Sequence, residues 1–141
     1  MGLDAVVYRK LNHLDLGEDL RFAKVAAETG EVYFEIDSLS RKYAKQLCVC
    51  EHRLGNISTI AECREEVSRL LAPDCRLVRM VLYSGAHCGD LIPLPETEFL
   101  STEITSIRQT RHVSERLKAL LSSLDDLVRA AQSEGNPIIF V

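Results

Sequence analysis

The string Ser84-Gly85-Ala86-His87-Cys88-Gly89-Asp90 gathers two candidate nucleophiles, an imidazole, a carboxylate and two glycines into one short segment. Nucleophilic catalysis there would need Ser84 or Cys88 within ~3 Å of His87 as base, with Asp90 orienting the ring. Neighbouring side chains of an extended segment point to opposite sides, so His87 and Cys88 do not form a dyad by adjacency alone. Ser84 is not framed as a G-x-S-x-G nucleophile elbow. The simplest alternative is a turn, in which Gly85 and Gly89 take unusual φ while Ser84 and Asp90 bond to local backbone. A ligand or partner contact stands between these readings. Ser84, His87, Cys88 and Asp90 are therefore the candidate binding residues, and no residue is assigned a catalytic role.

A second group, Cys48-x-Cys50-x-His52 with Cys63 further on, carries soft ligand types. Structural zinc sites use paired C-x₂₋₄-C units in tetrahedral sets, and the single pair here is spaced too tightly. Cys63 falls on the apolar stripe of a helix, where cysteine behaves as a small hydrophobe. No metal ligand and no cofactor are assigned. His13 and His112 stand in polar contexts and read as surface residues. Asp125 and Asp126 are adjacent on a helix, so their side chains diverge by about 100° and form a solvated face. Arg108, Arg111 and Arg116 make a basic cluster too sparse for a phosphate site.

The elements that would position these groups follow from periodicity. Residues 5–9 read as an opening strand. Residues 20–25 and 31–36 alternate apolar with polar or small residues around a connection ending in Gly30, which is a hairpin pattern; a helix over 18–29 is the competing reading. Ser38-Leu39-Ser40 can cap a short helix running to Lys45, but residues 37–55 carry no sustained period and are expected to cover the core. From a cap at Asn56 or Ser58, Ile60, Cys63, Val67, Leu70 and Leu71 form one stripe that ends at Pro73-Asp74.

Residues 77–83 read as a buried strand launching the 84–90 loop, with a short helix capped by Asp74 and stopped at Gly85 as the alternative. Pro95 suits a first helical turn, with Glu96 and Glu98 near the positive end of the dipole and Phe99, Leu100, Ile104 and Ile107 at helical spacing. The strongest period runs over 113–133 through Val113, Leu117, Leu120, Leu121, Leu124, Leu127, Val128 and Ala131. Gly135 lies just beyond it as a cap, and residues 138–141 form a closing strand.

This order predicts an α+β fold in a single globular domain over 1–141, with a small mixed sheet holding both terminal strands against about three amphipathic helices. The length and a 46% hydrophobic composition suffice for one core. A net charge of −4 lacks the basic stripe of a nucleic-acid binder and suits a basic partner. The start Met1-Gly2-Leu3-Asp4 has no secretory pattern, and no apolar run reaches the ~18 residues of a membrane helix. An odd cysteine count of five then points to reduced thiols and a cytoplasmic location.

Four stretches together resemble a group of small uncharacterised bacterial proteins: the opening Met1-Gly2-Leu3-Asp4-Ala5-Val6-Val7-Tyr8, the segment Arg53-Leu54-Gly55-Asn56, the loop Val81-Leu82-Tyr83-Ser84-Gly85-Ala86-His87-Cys88-Gly89-Asp90, and the ending Gly135-Asn136-Pro137-Ile138-Ile139-Phe140. The resemblance spans the chain and implies no particular chemistry. By analogy of size, small cytosolic bacterial proteins include immunity proteins that neutralise toxins. The expectation is a binding protein, of that immunity type by the same analogy, that occludes a toxin-like protein partner and binds neither nucleic acid nor membrane. The alternative is a small enzyme or ligand-binding domain using the 84–90 loop.

Overall fold

A computed structural model of the chain describes residues 2–9, 23–25, 32–34, 45 and 47–141. In chain order they form β1 (Gly2–Tyr8), β2 (Ala23–Val25), β3 (Val32–Phe34), β4 (Cys48–Asn56), α1 (Ile57–Leu70), a π-helical segment (Leu77–Leu82), β5 (Leu91–Ile92), α2 (Leu94–Arg108), α3 (Glu115–Glu134) and β6 (Ile138–Phe140). The main sheet has the order β4-β1-β6-β5. The closing strand therefore lies inside it, with Ala5 opposite Phe140 on one side and Leu91 opposite Ile139 on the other. An α+β fold with both terminal strands in one sheet against three longer helices is what the element order implied. All of the sheet's pairings are antiparallel, where a mixed sheet was expected. The short connection 109–114 reverses the chain between α2 and α3, so β6 returns alongside β5 in the opposite direction.

Alternation along β1 turns Leu3, Ala5 and Val7 toward the helices, where they join one apolar cluster. α3 gives that cluster Leu117, Leu120, Leu121, Leu124, Leu127, Val128 and Ala131. α1 adds Ile60, Cys63 and Val67, and α2 adds Leu100, Ile104 and Ile107. Each helix starts or stops where its sequence marks it. Asn56 Oδ1 accepts the Thr59 N–H at 2.8 Å, Ser114 Oγ accepts the Leu117 N–H at 3.2 Å, and Gly135 ends α3 at φ 67°.

β2 and β3 pair antiparallel with Val25 opposite Val32, as the hairpin reading requires, and residues 23–25 are not helical. The connection 26–30 lies outside the described residues. Of the helix expected to end at Lys45, only Lys45 is described, and it is helical.

Two further expectations are corrected. Residues 48–56, read as part of a covering segment, form edge strand β4 beside β1. Its core-facing positions opposite Val7 and Ala5 are Cys50 and His52 rather than large apolar residues, so the period-2 signal is muted. Residues 77–82, read as a strand, are helical, with Leu77, Val78, Val81 and Leu82 buried. Asp74 does not cap them. Both oxygens of the Glu103 carboxylate do, accepting the N–H groups of Arg76 at 2.9 Å and Leu77 at 2.8 Å from α2. Among the described residues, no helix is long and apolar enough to cross a membrane.

Candidate functional site

The 84–90 loop leaves the π-helical segment through Tyr83 and enters β5. Two different constraints require its two glycines. A Cβ on Gly85 would lie 2.7 Å from the Cα of Ile57, so this residue is where the loop backbone presses on the start of α1. Gly89 has open space around it but sits at φ 96°, which an L side chain rarely adopts. The expectation of unusual φ thus holds for Gly89 and not for Gly85. Local bonds complete the turn: Ser84 Oγ accepts the Ala86 N–H at 3.2 Å. The Gly89 N–H donates to the Phe140 carbonyl at 2.8 Å, and the Phe140 N–H donates to the Asp90 carbonyl at 2.9 Å. The loop's second half therefore continues the β5–β6 ladder.

His87 is the loop's anchor. It is 7% exposed, its ring stacking on Tyr83 at 4.3 Å and meeting Phe140 edge-on at 4.2 Å between centroids. Nδ1 lies 2.9 Å from the Ser84 carbonyl, so Nδ1–H donates and the neutral ring keeps its lone pair on Nε2. That Nε2 is buried and has no hydrogen-bond partner among the described residues. Burial lowers the His87 pKa from its ordinary value, and the Ser84 carbonyl and Asp90 carboxylate only partly oppose this.

The outer surface of the loop carries the remaining groups. Ala86, Cys88 and Asp90 are exposed and Ser84 is half-buried. Asp90 accepts a hydrogen bond from the Tyr83 hydroxyl. Partial burial and that carboxylate push the Tyr83 hydroxyl up to about 12. Arg64 of α1 donates to the Tyr83 carbonyl at 3.1 Å and ties the loop's entry to the helix. The four candidate binding residues thus share one loop but not one direction, because His87 turns inward and Cys88 and Asp90 turn outward. Tyr83 and Phe140, which seat the imidazole, were not singled out. Tyr83 borders the loop in sequence, whereas Phe140 reaches it only through sheet pairing.

Of the other cysteines, Cys63 belongs to the apolar cluster and Cys50 and Cys75 pack against it. Burial pushes Cys63 up to about 11, aided by Glu66 and Glu62. Cys48, whose thiol donates to the Cys50 carbonyl at 3.3 Å, is raised by burial and Glu51. Cys50 is raised by burial and Asp126. His52 Nε2 lies 3.2 Å from Asp126 Oδ2, so His52 is engaged with α3. Among the described residues, no group of three or more His, Cys, Asp or Glu side chains is placed to hold a metal ion. Asp125, adjacent to Asp126 in sequence, is instead buried and takes Arg108 at 3.1 Å and Arg129 at 2.7 Å. The chain matches no protein-family model, no curated protein and no solved structure.

Proposed function

We propose that the chain is a bacterial cytoplasmic binding protein whose 84–90 loop docks on a partner protein and occludes it, as an immunity protein does a toxin. The observation that carries this reading is the inward imidazole of His87, whose Nε2 is out of reach of solvent. A base in that position cannot take a proton from a substrate or from a nucleophile on the loop's outer face. The ring instead fixes the loop and leaves Ala86, Cys88 and Asp90 as a preorganised contact surface, which limits the ordering cost of association. A net charge of −4 suits a basic partner.

The test is a growth assay with the product of the gene directly upstream. Expressed alone, that product should arrest growth, and co-expression of this chain should relieve the arrest. Ala86→Arg and Cys88→Arg place bulk on the loop's exposed face without touching the His87 anchor, and each should abolish relief. No arrest, or relief that survives both substitutions, contradicts the proposal.

A further inference from the structure

A cleft of about 720 Å³ opens where α2 ends and α3 begins, lined by Arg108, Thr110, His112, Val113, Lys118 and Leu121. The Arg, Thr, His and Lys side chains all carry donors, and among the described residues no carboxylate lines the cleft. The local charge balance is positive. Arg108 and Arg129 share one oxygen of Asp125, so two guanidinium groups meet one carboxylate. Lys118 reaches Glu115 at 2.9 Å, but with 57% and 89% of the side chains exposed this contact holds weakly. Arg111 and His112 form no ion pair with any described residue. Arg116, grouped with Arg108 and Arg111 by sequence, turns away to Glu62. His112 and Lys118 take its place around the cleft.

We propose that this cleft binds a small organic phosphate, a phosphate monoester on a short apolar body. Arg108 and Lys118 supply charge and His112 supplies a further donor, while the Thr110 hydroxyl already donates to the Ser106 carbonyl at 3.2 Å and presents its oxygen at the wall. Together they match the three terminal oxygens and up to two negative charges of a phosphate better than the two oxygens of a carboxylate. Val113 and the rim of Leu121 offer the apolar flank. The volume falls within the range of small-molecule sites. The assignment is independent of the 84–90 loop and of any partner docked there.

Phenyl phosphate, inorganic phosphate and benzoate serve as probes in amide chemical-shift titrations of the whole chain. Phenyl phosphate should give saturable shifts centred on Thr110, His112, Val113 and Lys118, and should bind more tightly than the other two. The double variant His112→Gly/Lys118→Gln should lower its affinity by about tenfold or more, the scale expected for losing charge-assisted contacts. Glycine is at ease at the φ of 64° held by residue 112, and Lys118 is exposed, so the variant should keep the wild-type melting temperature. Absence of a saturable response, an affinity unchanged in the variant, or benzoate binding as tightly as phenyl phosphate would overturn the proposal.

Discussion

The His87 imidazole meets the Phe140 ring edge to face, 4.2 Å between centroids, and so fastens the 84–90 loop to the strand that closes the sheet. This contact makes the loop part of the core rather than an appendage. It also makes the protonation of one side chain a matter of fold stability.

Burial holds the pKa of His87 in the folded chain below the 6.5 of an unperturbed imidazole. Between those two values the unfolded chain binds more protons than the folded one. The stability from burying a neutral ring is therefore fully present above about pH 6.5 and is lost as the pH falls toward the folded value. We expect the melting temperature to drop below that pH more steeply in the wild type than in His87→Gln. The comparison cancels the carboxylate titrations common to both proteins. Parallel profiles would show that the ring carries no such linkage.

The two loop glycines should respond to the same substitution for different reasons. Gly85→Ala forces a Cβ against the Ile57 backbone at 2.7 Å, an overpacking that costs about 1–3 kcal/mol. Gly89→Ala meets no atom and should cost only the positive-φ penalty, about 1–2 kcal/mol. Urea denaturation measures both. Ile57→Ala removes Cγ1 but leaves the clashing Cα and Cβ in place, so it should rescue neither variant.

Leu124 is fully buried on α3, whereas Ser122 faces solvent. Leu124→Ala should cost about 2–5 kcal/mol, and Ser122→Ala should stay within ~0.5 kcal/mol. Equal losses in denaturation would mean that α3 presents a different face to the sheet.

What was legible in the sequence is what local physics decides. The leucine stripe of α3, its Gly135 cap, the Asn56 cap and the all-apolar closing strand each carry their own signal, and the structure places them accordingly; the Ser114 cap of α3 was not singled out, the helix being read from Val113. What was not legible depends on distant residues. The helical turn at 77–82 is capped by Glu103, which is remote in sequence, so its short apolar run looked like a strand. Strand β4 hides its period because Cys50 and His52 occupy inward positions at a sheet edge. The loop itself was recognisable as a polar turn, but its inside and outside were not. His87 is as polar a residue as Ser84 or Asp90, and the Tyr83 and Phe140 rings, brought together by the fold, turn it inward.

The most direct test of the 84–90 loop as a contact surface with an internal imidazole is the alkylation rate of Cys88 in the native protein. Cys88 is exposed, while Cys63 is buried and the thiols of Cys48, Cys50, Cys63 and Cys75 are all raised by burial. Cys88 should therefore be labelled first, at a rate no greater than that of an unactivated small thiol such as glutathione, and His87→Gln should not slow it. Labelling about tenfold or more above that reference, with the excess lost in His87→Gln, would mean that the imidazole serves the thiolate. That result would contradict the binding account and return the loop to catalysis.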